Sequence, residues 1–427
     1  MKPEQQVGAS RADAERNRAF GAGLVDDPYP TYHRLREEAP VRSGTIEEHF
    51  PTVGMGASAV WGPEQITVLS YDGCNDVLRR SETFSSRWYD RTLTAVIGPT
   101  IIGMDEPEHR RIRMLLKTAF AKKAMTWWEE DLIRPAVDRE LSALLPHGRA
   151  DLYQQVAARV PVQTITAGLG LPLEDRARFF DWAVGMTAAT VPPEERIAAC
   201  HAVAEYVAPI IASRRRSPRQ DLITILATAE ISDEDRVGYA GDVQPLSDAE
   251  INGFIGLLII AGAGTTYRAY GNLMFQLLAH PDQLEGVRAD RSLVDDAINE
   301  SLRLEQPISV LGRLARDDTA IQDVAVPKGC AVNAVIGAAN HDPSVFPDPE
   351  RFDIRRTNAS RHLSFGFGIH RCLGQHLALS ELRILLNRTL DLLEDLEFDP
   401  DAEPARQTGL GFRMPTALPV RFRAVRA

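Results

Sequence analysis

The sequence predicts a mainly helical fold with small β-sheets, in a single domain of 427 residues. Between about residues 105 and 305 the apolar residues recur at helical spacing, as in RMLLKTAF, DLITILATA and VDDAINESLRL. Short β-type patterns bounded by glycine or proline occur at 66–70, 320–327 and 417–422. Because no repeat, low-complexity tract or Gly/Ser linker interrupts the chain, we expect one domain, 1–427, with 1–27 as a poorly ordered N-terminal extension.

The charge and hydropathy of the chain restrict the class of protein. A formal net charge of −11 argues against nucleic acid as a partner, because binding phosphates needs a basic surface. The N-terminus lacks the apolar core of a signal peptide, and the most apolar run, 254–264, is too short to span a bilayer. We therefore expect a cytoplasmic protein without a membrane span.

The best-defined helix begins at LSDAE. Ser247, followed three residues later by Glu250, has the spacing of a capping box, and the helical pattern continues to about Ala279. Roughly 32 residues at about 1.5 Å each give a helix about 48 Å long, which must cross the interior. Four glycines lie within this helix: Gly253, Gly256, Gly262 and Gly264. Because each glycine inside a helix costs about 1 kcal/mol relative to alanine, we expect something flat or bulky to lie against the helix.

Only one of the four cysteines has an unusual neighbourhood. Cys74, Cys200 and Cys330 lie in apolar or mixed contexts, where a small buried hydrophobic residue is the simplest interpretation. The absence of CxxC pairs argues against a disulfide framework and a four-cysteine zinc site. Cys372 lies in FGFGIHRCLGQ, among glycines and just before a segment with helical apolar spacing.

A cysteine at a helix N-terminus is exposed to N–H groups and a dipole that favour the thiolate. The glycines around Cys372 permit positive φ or a close backbone approach, so a planar group could lie against this loop. A c-type haem attachment needs CxxCH, and a zinc site built on His370 and His376 has no further local ligands. On these residues alone, a thiolate metal ligand, a catalytic thiol and a structural turn all stay open.

Five motifs in order give the sequence a family resemblance. Phe365, Gly368, Cys372 and Gly374 meet the pattern F-x-x-G-x-x-x-C-x-G. The other motifs are DEPEHRRIR at 105–113, AGAGTT at 261–266, ESLR at 300–303 and PERF at 349–352. With them the chain resembles the cytochrome P450 family, the haem-thiolate monooxygenases, from about Pro28 to Val420. The resemblance implies the cytochrome P450 fold, with haem b between the long helix and the cysteine loop and Cys372 as the iron ligand, whose thiolate favours O–O cleavage.

The resemblance also assigns the residues around the haem. Its two propionates need cationic or hydrogen-bonding partners, and the implied partners are His109, Arg113, Arg313 and His370. Phe365 would pack beside the sulfur, and Gly374 would border the cofactor. Without the resemblance, each of these polar residues would be an ordinary surface side chain.

The same comparison changes the interpretation of Glu300 and Arg303. At spacing i, i+3 they would form an exposed ion pair that contributes at most about 0.5 kcal/mol. In the family the pair is joined by the arginine of PERF, here Arg351, whose planar fork binds carboxylate and carbonyl groups together. The resemblance therefore implies a buried cluster that holds the cysteine loop.

The run 109–123 contains six lysines or arginines and no acid. By itself it is typical of a solvated helix face. The resemblance places it on the cysteine side of the haem, where it would dock an acidic iron–sulfur ferredoxin.

The implied reaction inserts one oxygen atom from O2 into an organic substrate, with electrons from NAD(P)H relayed by a separate ferredoxin reductase and ferredoxin. Two other classes stay open: a peroxide-driven peroxygenase or another haem-thiolate oxidation, and a haem protein that binds a ligand without turnover.

The resemblance also indicates which segments line the substrate pocket. Most of their side chains are apolar or aromatic, which favours a medium-sized hydrophobic substrate such as a terpenoid, steroid or aromatic compound. The implied members are residues 85–102, residues 179–186, Leu258, Gly262, Ser309, Val310 and Phe412.

The sequence departs from the family at one position of the long helix. An acidic residue commonly precedes the threonine and helps to deliver protons, but here Gly264 precedes Thr265. The Thr265 hydroxyl can bond the carbonyl of Ala261 and loosen the helix. We therefore expect protons to arrive through ordered water, Thr266 or an acid from another segment, with some uncoupling to peroxide or direct support by peroxide.

Overall fold

The computed structural model describes residues 25–50, 60–62, 64–172, 175–187 and 193–425, and within them the fold is mainly helical, as predicted. The α-helices span Tyr29–Glu38, Tyr71–Arg79, Leu93–Ile97, Glu108–Leu116, Lys122–Trp127, Arg134–Leu144, Val160–Gly168, Arg176–Thr187, Pro193–Arg216, Leu222–Ala227, Asp233–Arg236, Asp248–Leu257, Gly264–Ala279, Pro281–Ala289, Val294–Leu304, Ile336–Ala339 and Gln375–Leu392. The helices that were predicted from RMLLKTAF, DLITILATA and VDDAINESLRL are all present.

The strands form small sheets beside the helical body. The largest has the order Val41–Ser43, Gln65–Val68, Ala331–Val335, Val310–Ala315 and Phe84–Ser85, and is antiparallel except where Gln65–Val68 pairs with Ala331–Val335. A second, antiparallel sheet has the order Arg149–Asp151, Pro419–Ala424 and Leu393–Phe398. Two hairpins complete the set: Thr319–Ile321 with Val324–Val326, and Gln407–Thr408 with Met414–Pro415. The three predicted β-patterns are confirmed, while the strands at 310–315 and 331–335 were missed.

The long helix, Asp248–Ala279, is confirmed with its capping box: Ser247 accepts from the Glu250 N–H, and the Glu250 carboxylate accepts from the Ser247 N–H. Its middle, Leu258–Ala263, is π-helical. By length and apolar composition this helix could cross a membrane, unlike the shorter apolar run considered above, but 61% of its apolar window is buried inside the protein. It therefore lies in the core, where it contacts most of the surrounding helices.

The cysteine loop, residues 365–374, depends on its glycines. Gly366 and Gly368 have φ of +66° and +69°, a region that side chains other than glycine rarely adopt. A Cβ on Gly368 would also lie 2.6 Å from the Leu78 carbonyl oxygen. The Cys372 N–H donates to the Phe365 carbonyl at 2.9 Å and closes the loop just before the helix Gln375–Leu392.

Glu300 and Arg303 form a buried cluster and not a surface pair. Both side chains are fully buried, and the Arg303 fork donates to the two carboxylate oxygens of Glu300 at 2.8 and 2.9 Å. Arg303 also donates to the carbonyls of Asn340 and Pro349. One side chain therefore ties the helix Val294–Leu304 to the segment that precedes the cysteine loop.

The third member of this cluster is Arg356, and the prediction for Arg351 is wrong. The Arg356 Nε donates to Glu300 at 3.1 Å, and its side chain is only 8% exposed. The Arg351 side chain is 68% exposed, and only its carbonyl accepts from Arg303 and Arg356. The tight turn in which the Arg351 N–H donates to the Asp348 carbonyl leaves the Arg351 side chain outside, and Arg356 reaches back to the carboxylate.

Asn340 and Ser364 connect the cluster to the cysteine loop. Asn340, whose carbonyl is held by Arg303, accepts from the Leu363 N–H at 2.8 Å and donates to the Ser364 hydroxyl at 2.9 Å. Ser364 in turn donates to the Leu302 carbonyl at 2.6 Å. The residues immediately before Phe365 are therefore fixed by hydrogen bonds that begin at a buried ion pair.

The predicted N-terminal extension, 1–27, lies outside the described residues except for 25–27. Val25 is buried, and the carbonyls of Val25 and Asp26 accept hydrogen bonds from Arg413. A buried arginine side chain therefore binds the end of this range, and the extension itself stays a prediction.

The corrected cluster predicts different outcomes for two neighbouring arginines. Removing one member of a buried charge cluster typically costs about 3 to 5 kcal/mol, whereas breaking an exposed pair costs under about 1 kcal/mol. Arg356→Ala should therefore lower the free energy of unfolding and the yield of haem-loaded protein strongly, and Arg351→Ala, the matched control, should change neither. Denaturant unfolding and haem content measure both. Equal effects of the two substitutions would contradict the assignment of Arg356.

Candidate active site

A large, mostly apolar cavity lies between the long helix and the cysteine loop. It is also bordered by the helices Glu108–Leu116, Val160–Gly168 and Gln375–Leu392 and by the strand Val310–Ala315. Eleven of the residues that were predicted individually for the site line it: His109, Arg113, Leu258, Gly262, Thr265, Thr266, Arg313, Phe365, His370, Cys372 and Gly374.

The Cys372 thiol borders this cavity on the side of the loop. The surrounding protein desolvates the thiol and raises its pKa, while the Gly374 N–H and the cations of Arg113 and Arg371 act in the opposite direction. Although Cys372 is exposed at the cavity surface, the protein atoms packed around its sulfur outweigh the expected effect of the helix terminus on the pKa of the thiol. Because a bound metal ion replaces the proton of a coordinating cysteine, iron would supply the condition under which this sulfur is a thiolate.

Four side chains with hydrogen-bond donors gather at one end of the cavity, and the partners they have do not satisfy all of their buried nitrogen atoms. The rings of His109 and His370 lie 4.2 Å apart, and the Nε2 atom of each is buried without a hydrogen-bond partner. Arg313 is 4% exposed, donates to the Gly312 carbonyl at 2.8 Å and also interacts with the Tyr89 hydroxyl, and Arg113 donates to the Arg371 carbonyl at 2.9 Å. Unpaired buried polar groups are costly, so this end of the cavity fits a ligand with carboxylates.

Burial also determines the direction in which the pKa values of His109 and His370 shift. Burial, followed by the cations of Arg313 and its neighbours, lowers the pKa of His370 to about 2. Burial also lowers the pKa of His109, and Arg113 adds to that effect. Both rings are therefore neutral near pH 7, and the arginines bring the positive charge. The group fits the two propionates of a haem.

The long helix borders the opposite side of the cavity with Ala261, Gly262, Thr265 and Thr266. The Thr265 hydroxyl donates to the Ala261 carbonyl at 2.6 Å, as predicted, and the Thr266 hydroxyl donates to the Gly262 carbonyl at 2.8 Å. Gly264 is not among the residues that border the cavity.

Three of the predicted substrate contacts are wrong. Ser309 is buried behind the cavity, where its N–H donates to the Gly411 carbonyl, and Val310 packs against the apolar cluster of the N-terminal helix. Successive side chains of a strand point to opposite faces, and in Val310–Ala315 it is Leu311 and Arg313 that face the cavity. Phe412 does not border the cavity, because its ring packs on the Arg268 guanidinium.

Of the two segments predicted to contact the substrate, one borders the cavity and the other does not. From 85–102, Tyr89, Ile101 and Ile102 border the cavity. The helix Arg176–Thr187, which contains 179–186, contributes no described side chain to the cavity wall.

Glu381 is a cavity residue that the sequence reasoning missed. It lies on the helix Gln375–Leu392, fully buried, and its Oε1 atom has no hydrogen-bond partner. Burial raises the pKa of Glu381 to about 8, so its carboxyl group is mainly protonated near pH 7. In the sequence, Glu381 is an acid among leucines on the apolar side of that helix, and this pattern could have identified it as a cavity residue.

Comparison with known proteins agrees with this geometry. The family model described as Cytochrome P450 matches residues 191–418. Cytochrome P450 monooxygenase PikC of Streptomyces venezuelae is 35% identical over 421 residues, which cover 95% of this chain and 93% of that protein. The chain belongs to the cytochrome P450 family.

Two further relatives agree with the assignment. Vitamin D(3) 25-hydroxylase of Pseudonocardia autotrophica is 31% identical and is covered over 88% of each chain. The crystal structure of CYP109E1 from Bacillus megaterium in complex with corticosterone superposes with a TM-score of 0.80 at 28% identity, over 95% of this chain and 99% of that one. The chain is therefore a cytochrome P450 monooxygenase that uses haem b, and its iron supplies the oxygen chemistry.

The assignment of Cys372 as the iron ligand stays a prediction with a direct test. A thiolate ligand gives the reduced, carbon monoxide-bound protein a strongly red-shifted Soret band, and Cys372→His should lose that band while keeping a bound haem. Cys330→Ser, at a half-buried thiol outside the cavity, is the control and should keep it. Persistence of the shifted band in Cys372→His would rule out this ligand.

Proposed function

We propose that this cytochrome P450 inserts one oxygen atom from O2 into a medium-sized, hydrophobic organic substrate of steroid size, within the cytoplasm. The observation that carries the proposal is the apolar wall on the side of the long helix. It consists of Ile101, Ile102, Ile165, Phe254, Leu257, Leu258, Ala261, Pro307, Ile308 and Leu311.

Few polar groups interrupt this wall. Apart from the long helix and the four propionate partners, the polar side chains that line the described cavity are Tyr89, Thr164, Ser364, Arg371 and Glu381. A site of this kind selects ligands by shape and apolar contact, with few hydrogen bonds. A polar or highly charged substrate would lose its hydration without compensation.

The relatives support a steroid-sized ligand as the first class to test. The name of the Pseudonocardia relative states hydroxylation of vitamin D3, and CYP109E1 has been solved in complex with corticosterone and with testosterone. Those ligands belong to those proteins. We propose the same class for this chain because its own cavity wall is mostly apolar.

Binding of such a ligand should be visible in the haem spectrum. Testosterone, corticosterone and vitamin D3 should each be titrated for displacement of the iron-bound water, and at least one should give a saturable shift of the Soret band. Ile308→Ala removes three carbons from the cavity wall. At about 0.8 kcal/mol per buried CH2 group, part of which relaxation recovers, this should weaken binding roughly tenfold.

Val310→Ala is the matched control, since Val310 lies two residues away and packs on the other face of the sheet. It should leave the dissociation constant unchanged. Absence of a spectral shift with every steroid, or equal effects of the two alanine variants, would contradict the proposed class.

We further propose that electrons come from NAD(P)H through a separate reductase and an acidic iron–sulfur ferredoxin. Arg110, Arg113, Lys117 and Arg371 border one surface depression that reaches Cys372. Arg111, from the same predicted basic run, instead points inward and pairs with Glu250. Lys122 and Lys123 lie in this run as well, but their side chains are outside the described residues.

Part of this positive charge is already compensated. Lys117 pairs with Asp235, whereas the exposed Arg110 has no ion pair among the described residues and packs over the Tyr239 ring at 5.2 Å. Arg110 is therefore the cleanest single test of docking by charge.

Arg110→Glu should slow reduction by ferredoxin roughly fivefold at low salt, because complementary charge mainly raises the association rate. The difference should shrink as salt is added, since the Debye length falls to about 8 Å at physiological ionic strength. Lys328→Glu reverses a charge in the exposed turn between the strands Val324–Val326 and Ala331–Val335, outside the basic depression, and should have no effect. Stopped-flow reduction measures both. Salt-independent reduction of the unmodified protein, or equal rates for the two variants, would place docking elsewhere.

A further inference from the structure

Arg268 fills the space beside the helix position where the family commonly has an acid. It lies one turn after Gly264, and its Nη1 atom donates to the Gly264 carbonyl at 2.6 Å. A Cβ at position 264 would lie 3.1 Å from the same Nη1 atom. Any side chain at 264 would therefore crowd this guanidinium and require it to shift by a few tenths of an ångström.

The Arg268 cation has no acidic partner in the part of the chain that the structure describes. Its side chain is 5% exposed and lies between the rings of Tyr267 and Phe412, at 4.6 and 4.7 Å from their centroids. The Nε atom is buried without a hydrogen-bond partner. Because arginine keeps its charge in proteins, a buried cation stands beside the position that is acidic in relatives.

The bond from Arg268 to the Gly264 carbonyl is one of three side-chain hydrogen bonds to the backbone near the π-helical segment of the long helix. Thr265 donates to Ala261, Thr266 to Gly262 and Arg268 to Gly264, each to the carbonyl four residues back. The segment just before them, Leu258–Ala263, is π-helical. The two threonine bonds are of the kind that bends or loosens a helix, and Arg268 binds the first carbonyl of the regular α-helix that follows the irregular segment.

We propose that Arg268 is a positioning residue that takes the place of the missing acid: by binding the Gly264 carbonyl it holds the helix open at Ala261–Thr265, and it requires glycine at 264. The open segment is where water can approach the cavity from the helix. The proposal rests on the oxygen chemistry of the family and not on the substrate class proposed above.

A direct consequence is that a carboxylate introduced at 264 would pair with Arg268. Gly264→Asp and its uncharged isostere Gly264→Asn should be compared with Arg268 present and in an Arg268→Met background, by thermal unfolding of the haem-loaded proteins. With Arg268 present, the Asp variant should melt roughly 5 °C above the Asn variant, and in the Met background this order should reverse. The same Asp–Asn difference in both backgrounds would overturn the proposal.

Alanine substitutions give a second measurement that does not depend on a buried carboxylate. Gly256 lies on the same helix, and a Cβ there would meet only ordinary side-chain contacts at 3.4 Å and beyond. Gly256→Ala should gain helix stability, whereas Gly264→Ala should not, because its Cβ crowds Arg268. An equal rise in melting temperature would count against the requirement for glycine at 264.

Proton delivery is tested by the solvent deuterium isotope effect on NADPH oxidation with an added ferredoxin and reductase, which needs no identified substrate. Arg268→Met should change this isotope effect about twofold, and Arg268→Lys, which keeps the charge, should stay close to the unmodified protein. An unchanged isotope effect in Arg268→Met would show that Arg268 is only structural.

Discussion

The buried ion pair of Glu300 and Arg303 is the interaction on which the active-site geometry depends. Glu300 is saturated by Arg303, Arg356 and a backbone N–H, so its burial is compensated. Arg303 donates to the Asn340 carbonyl, and the Asn340 side chain accepts a hydrogen bond from the Leu363 N–H, just before the cysteine loop. The position of the cysteine loop is thus set by a cluster of charges that cannot be exposed without a large loss of stability.

The second constraint is a surplus of donors around the cavity. The Nε2 atoms of His109 and His370 are buried without a hydrogen-bond partner, and the Arg313 guanidinium lies beside them with no ion pair among the described residues. Such an arrangement is stable only when a ligand brings the missing acceptors. A haem with two carboxylates would supply such acceptors, and its binding would then complete the core and contribute to folding.

Features encoded by local sequence were predictable. The capping box at Ser247, the turn glycines before Cys372 and the threonine bond to Ala261 all follow from residue chemistry within a few positions. The wrong predictions concern side-chain direction, which tertiary packing decides. Arg351 and Arg356 lie in one arginine-rich turn, and the sequence does not say which of them turns inward.

The same limit applies to the substrate wall and to the long helix. Val310 and Leu311 differ by one residue and point to opposite faces of a strand whose existence the sequence pattern did not reveal. Gly264 was recognised as a departure from the family, but its structural counterpart, Arg268, became visible only when the two were seen in contact. Long-range pairs of this kind cannot be deduced from one sequence.

The central claim is that this cavity holds a haem whose iron is bound by the sulfur of Cys372. X-ray absorption at the iron edge of the purified protein tests it most directly, because sulfur and nitrogen ligands differ in distance and scattering. The account predicts one sulfur ligand to iron in the unmodified protein and none in Cys372→Ser. Iron bound only by nitrogen and oxygen in the unmodified protein, or a sulfur ligand that persists in Cys372→Ser, would contradict it.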